Sequence, residues 1–207
     1  MPKVKPHRTN PSLDMTPMVD LAFLLVTFFM LTTKFAAEEV VVVDTPSSTS
    51  DIKLPESNII RLLIDKDKRV FFGFESDKAK TLLLDKIATK YGVSFNEKQK
   101  KNFGNLNSFG VPVQQLGGLL SLSTEQRKKV NQTGIPIDSL NNQLIDWVME
   151  ARKANMEAIA KPTFIAIKGD NNADVATVKK VIQILQDKNI NRFNLITDLE
   201  NKPVASN

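Results

Sequence analysis

Cysteine is absent from this 207-residue chain. That excludes a disulfide framework, a thiolate metal site and a cysteine nucleophile, and it suits an oxidising compartment without fixing one. Histidine is nearly absent. The one copy, His7, lies in a polar stretch with Pro2, Pro6 and Pro11, so it is read as solvated. No histidine triad or histidine metal cluster can form in the rest of the chain. There is no Walker-type phosphate loop and no glycine-rich dinucleotide fingerprint. Lys168-Gly169-Asp170 reads as a turn between a strand and a helix, with Asp170 and Asp174 as helix caps rather than metal ligands. No enzyme activity, no cofactor and no metal are expected. A large excess of one charge is missing too. The net charge is +5, from 28 basic and 23 acidic residues spread among each other, so no nucleic-acid partner is expected.

Long hydrophobic runs are equally scarce: there is one. Met15 to Thr33 reads M-T-P-M-V-D-L-A-F-L-L-V-T-F-F-M-L-T-T. Nineteen residues make roughly 28 Å of helix, close to the ~30 Å of a bilayer core. Asp14 or Thr16 can cap this helix, and Pro17 suits its first turn. Lys3, Lys5 and Arg8 precede the run, whereas Glu38, Glu39 and Asp44 follow it. Positive flanks stay cytoplasmic, so the N-terminus is expected inside and the remainder exported. A cleaved signal peptide fits poorly, because the run is long and Phe35-Ala36-Ala37 lacks a small residue at the first cleavage position.

Asp20 is the only titratable side chain in that run. A 100° step per residue places Thr16, Asp20, Thr27 and Lys34 on one polar stripe, with Leu, Val, Phe, Met and Ala elsewhere. Such a stripe turns toward protein or water rather than lipid. Burial raises a carboxyl pKa while hydrogen bonds or a cation lower it, so a membrane carboxylate can be poised to exchange a proton. The other reading of Asp20 is a polar contact that joins helices.

Residues 1–13 read as a cytoplasmic tail, 14–35 as a transmembrane helix and 36–58 as a linker. In that linker Val40, Val41, Val42 and Val43 can extend as a short strand, which Asp44 to Ser50 breaks. The strand either pairs with another chain or is a mere tether. A folded α+β domain is expected over 59–199, with 200–207 as a tail. Its sheet reads ββ…βαβ: a hairpin over Ile59–Asp65 and Arg69–Phe74 turning at Lys66-Asp67-Lys68, then a strand at Thr163–Ile167, a helix from Asn171 to Lys188 and a last strand at Phe193–Thr197. Mixed strands with helices on one face give a small mixed sheet. A long, partly helical insertion, 76–160, divides it. Asp77–Tyr91 and Ser139–Ala160 look helical, with turn-rich sequence between. Leu116, Leu119, Leu120 and Leu122 pack an irregular subdomain or line a groove for a partner.

Asp14-Met15-Thr16-Pro17-Met18-Val19-Asp20-Leu21, followed by Phe23 to Thr33, resembles the ExbD/TolR family, whose members carry an M-T-P-(L/M)-V-D start and an F-F-M-(V/L)-T ending. Val40 to Pro46 looks like the family's short strand ending in Leu-Pro, with Thr45 in place of Leu. Residues 163–199 look like its closing strand–helix–strand. The resemblance covers about 1–75 and 163–199, and leaves out 76–160. It implies a single-pass inner-membrane subunit of a proton-driven motor, nearest to ExbD. Two such helices would sit in a pentameric ring of an ExbB/TolQ-like partner. Asp20 would carry the proton, with Thr27 on the same pore-facing stripe. The periplasmic domain would form a homodimer and engage a TonB-like protein that energises uptake across the outer membrane. A TolR-like envelope-integrity role is the alternative within the family. Outside it stands a membrane-tethered periplasmic binding module without proton transfer.

Overall fold

A computed structural model of the chain describes residues 15–32, 47–48, 58–139, 141–170, 173–196 and 198–199. The chain divides into two units, Met1–Ala36 and Ala37–Asn207. The first contains α1, Thr16–Thr32. Pro17 stands in its opening turn, where a missing N–H leaves no bond unmade, and Val19 N donates to Met15 O at 3.0 Å. At ~1.5 Å per residue its 17 residues rise about 25 Å. Among the described residues no helix is long and apolar enough to cross a membrane. Residues 14 and 33–35, the ends of the span expected from the sequence, lie outside the described residues.

The second unit holds a five-stranded mixed sheet. A two-residue strand, β1 (Ser47–Ser48), precedes it. The hairpin follows as β2 (Ile59–Ile64) and β3 (Val70–Glu75). Lys68 takes a positive φ of 62° in its turn, and Lys68 N donates to Asp65 O at 3.1 Å. Next come α2 (Asp77–Tyr91), α3 (Glu97–Gly104), β4 (Ser108–Phe109), α4 (Val113–Ser121) and α5 (Thr124–Lys129). A small ladder, β5 (Ile137–Asp138) with β6 (Asn141–Asn142), leads into α6 (Gln143–Ile159). The chain closes with β7 (Phe164–Gly169), α7 (Val175–Gln186), β8 (Asn194–Ile196) and β9 (Asp198–Leu199).

The main sheet runs β4-β3-β2-β7-β8. β2 lies at its centre, antiparallel to β3 and parallel to β7. The expected ββ…βαβ mixed sheet is therefore present. Alternation along the strands sends Ile60, Leu62, Ile64, Val70, Phe72, Phe74, Ile165 and Ile167 to one face. There they share a core with Leu83, Leu84 and Ile87 of α2, Trp147, Val148 and Ala151 of α6, and Val181 and Leu185 of α7. The opposite face carries the Arg61–Glu75 ion pair and Phe71, against which Gly110 packs. A Cβ at Gly110 would collide with Cδ1 of the Phe71 ring and lie 2.6 Å from Cε1.

The stretch 76–160, expected as an insertion within the 59–199 domain, packs onto the sheet. Leu116, Leu119 and Leu120 join the same core as the sheet, and Trp147 lies 4.8 Å from Phe109 and 5.6 Å from Phe72, ring centre to ring centre. Ser47-Ser48, read from sequence as the end of a strand, forms one instead, parallel to β9, with Ser47 beside Asp198. The folded unit thus reaches back beyond residue 59.

Candidate functional site

The candidate site is the polar stripe of α1. Helical geometry brings Thr16, Asp20 and Thr27 into an arc of about 40°. Asp20 and Thr27 are two turns apart, about 10 Å along the axis. Asp20 is exposed, and it is the only ionisable residue in α1. Around it the large apolar side chains are exposed as well, from 54 % at Leu25 to 87 % at Leu31. The helix thus offers an apolar surface on several sides and one carboxylate.

Thr27 is half-buried and bonds to its own helix. Its Oγ1 donates to Phe23 O at 2.9 Å, with Leu24 O at 3.0 Å. Thr32 does the same toward Phe28 O at 2.8 Å. A hydroxyl bonded one turn back needs no outside acceptor, so it sits in apolar surroundings at little penalty and keeps lone pairs for water or a partner. Sequence spacing placed Thr27 on the stripe but gave no sign of this bond. Lys34 and Val40–Val43, the remaining site residues expected from the sequence, lie outside the described residues.

Several polar groups of the folded unit serve its structure. Tyr91 Oη donates to Asp146 Oδ2 at 2.7 Å while Lys90 Nζ meets Asp146 Oδ1 at 2.7 Å. Burial, reinforced by the Asp146 hydrogen bond, pushes the Tyr91 phenol well above its ordinary value. Glu157 beside Lys86, and Asp85 beside Lys100, raise those two ammonium groups. Asp174 caps α7, accepting from Thr177 N at 3.1 Å and Thr177 Oγ1 at 2.9 Å. The Thr177 hydroxyl lowers the Asp174 carboxyl below its usual value, with further help from the Thr177 backbone and Lys68. These contacts tie α2 to α6 and start α7; none converges on a common reacting point. Among the described residues no group of three or more His, Cys, Asp or Glu could hold a metal.

Two helix-start signals stand in the sequence. Asn96 with Gln99, and Ser123 with Gln126, form reciprocal capping boxes that start α3 and α5.

Neither a curated protein nor a solved structure matches the chain. The family described as "Biopolymer transport protein ExbD/TolR" matches residues 6–200. That match spans α1 and the elements from β1 to β9, including the 76–160 stretch that the motifs alone did not reach. The chain belongs to the ExbD/TolR family of biopolymer transport proteins.

Proposed function

We propose that this chain is an ExbD-type subunit of an inner-membrane proton-driven motor, with α1 and its flanks spanning the membrane over 14–35 and Asp20 carrying the proton. The family supports the coarser statement that it is a motor subunit of biopolymer transport, in a family that works with ExbB/TolQ and TonB/TolA partners and is no classical enzyme family. The observation that carries the finer reading is the single carboxylate on an otherwise exposed apolar helix. The magnitudes favour insertion. Burying each large apolar side chain is worth ~1.5–3 kcal/mol, and α1 exposes eleven of them from Met18 to Leu31. One central carboxylate costs ~2.5–3.5 kcal/mol on insertion scales. The apolar term wins several-fold, and the helix goes in with Asp20 turned from lipid.

In this reading the N-terminus is cytoplasmic and the folded unit periplasmic. Thr16, Thr27 and Lys34 share the pore-facing stripe with Asp20. The ring is an ExbB/TolQ-like pentamer, and a second copy of the chain pairs through Val40–Val43. Each proton moving through ~100 mV supplies about 2.3 kcal/mol, enough to bias a two-state element. A TonB-like protein receives the resulting motion.

The test is Asp20→Asn at wild-type protein level. Asparagine keeps shape and hydrogen bonding but exchanges no proton. The variant should insert and co-purify with its ring yet lose uptake that depends on the proton gradient. Undiminished uptake would leave Asp20 as a helix contact and favour the tethered binding module. Identifying the periplasmic partner in that co-purification separates the ExbD role from the TolR role.

A further inference from the structure

The last turns of α6 form one wall of a concavity of about 510 Å³. Met149, Arg152, Lys153 and Met156 line it, at the i, i+3, i+4, i+7 spacing of one helix face. Pro162 and Thr163 form the other wall. The chain turns back at Ala160, which takes a positive φ of 52° and donates its N–H to Met156 O at 2.9 Å. The buried Asn155 then holds the returning chain. Its Nδ2 donates to Lys161 O at 3.0 Å while its Oδ1 accepts from Ser76 Oγ at 2.8 Å. On its other side α6 sends Trp147, Val148, Ala151 and Ala154 into the core. Both walls are therefore fixed, and the concavity is formed before anything enters it.

Its lining is apolar around a cation. Met156 is 54 % exposed, and methionine surfaces adapt to varied apolar side chains. Lys153 Nζ meets Glu150 at 2.7 Å, and Glu157, the carboxylate of the lining, meets Lys86 at 2.8 Å. Arg152 is exposed and, among the described residues, meets no carboxylate. An unpaired surface cation is ordinary by itself; this one stands between two methionines in a preformed concavity. Thr163 adds a buried hydroxyl without a hydrogen-bond partner, an unmet donor that an entering acceptor oxygen would satisfy. Along the helix axis the order is apolar, cationic, apolar, over the roughly 10 Å from Met149 to Met156. An extended peptide covers that length in about three residues.

We propose that this concavity binds an extended acidic segment of a periplasmic partner, with one carboxylate between two apolar side chains. The carboxylate meets Arg152, and the apolar side chains cover Met149 and Met156. Charge and spacing together select this occupant. A basic segment would face Arg152 and Lys153, and a wholly apolar one would desolvate Arg152 without a counter-charge. A segment held here bears on α6 and on the head of β7, which pairs with the central strand β2. That the segment belongs to the partner receiving the motor's motion rests on the proposed function; the binding itself does not.

The test uses the full chain in nanodiscs, with isotope-labelled methionine methyl groups followed by NMR during titration with the peptide acetyl-Leu-Glu-Leu-amide. The Met149 and Met156 signals should move together and saturate, with those of Met15, Met18 and Met30 unmoved. Exchanging the peptide's glutamate for glutamine, or Arg152→Gln in the chain, should each weaken binding about tenfold, as loss of one charge-assisted hydrogen bond does. Arg152 is exposed and unpaired among the described residues, so that variant keeps its fold. Asp20→Asn should bind the peptide as wild type does. Absence of shifts at Met149 and Met156 overturns the proposal, as does equal binding of the glutamate, glutamine and lysine peptides. Shifts confined to Met15, Met18 and Met30 place the peptide at the bilayer and overturn it as well. Selective peptide binding together with undiminished uptake by Asp20→Asn would keep the groove and overturn the motor reading instead.

Discussion

Trp147 gives the sharpest test of how the folded unit holds together. It is fully buried among Phe109, Phe72 and Phe103, with ring centres at 4.8, 5.6 and 6.1 Å. Its indole Nε1 has no hydrogen-bond partner. Replacement by alanine removes the ring and leaves a cavity, at about 3–5 kcal/mol. Replacement by phenylalanine removes less. The lost area is worth roughly 2 kcal/mol, but the unpaired buried N–H goes with it, relieving about 1–3 kcal/mol. The two terms nearly cancel, so Trp147→Phe should lie within ~1 kcal/mol of wild type. Equilibrium urea unfolding of the full chain, followed by far-UV circular dichroism because the variants lack the sole tryptophan, measures both. A single transition is expected in each, since α6, β3, β4 and α3 share this cluster. Two results refute the reasoning. If Trp147→Phe loses as much as Trp147→Ala, the indole N–H is not an uncompensated donor. If Trp147→Ala melts the helices and leaves the sheet, 76–160 is separable after all.

Three further outcomes are expected. Asp20→Glu should keep part of the energised uptake, and Thr27→Val should reduce it less than Asp20→Asn does, because the Thr27 hydroxyl bonds chiefly to Phe23 O; uptake at matched protein level checks both. Asp174 has a lowered carboxyl pKa in the folded chain, so its contribution is present above the unfolded value near 3.8 and is lost as pH falls through the folded one. Asp174→Asn keeps a cap without a titrating group, so its deficit relative to wild type should shrink between pH 6 and pH 3 in urea titrations. Gly110→Ala forces a methyl onto the Phe71 ring and should lower stability by about 1–3 kcal/mol in the same assay.

The long periodic pieces were legible in the sequence, and the short polar ones were not. The reading of α2 as Asp77–Tyr91 matches the helix seen, and the hairpin strands fall within a residue of β2 and β3. Each has several apolar residues at a clear period. By contrast α3 reads E-K-Q-K-K-N-F-G, with Phe103 its one buried anchor, and α5 has no apolar residue at all. Their signal was the capping box rather than hydrophobic spacing. That Leu116, Leu119 and Leu120 lie on a helix was hidden for another reason. α4 is nine residues long and contains Gly117-Gly118, which weakens any helix pattern, and packing against α3 and α6 decides its state. In the candidate site, identity and spacing gave Asp20 and Thr27. The back-bond of Thr27 depends on its rotamer, which no sequence pattern records.

The position of β2 has a mechanical consequence. Tension drawn through the chain from α1 reaches Ser47–Ser48 first, where two residues face Asp198–Leu199. A ladder that short yields at low load. Ile59 comes next, at the head of a strand flanked by six register pairs with β3 and six with β7. A pull along β2 shears both ladders together, so no single pair can be peeled open ahead of the rest. The chain thus has a compliant stage followed by a stiff one: small displacements are absorbed at the β1–β9 contact, and larger ones move the sheet as a whole.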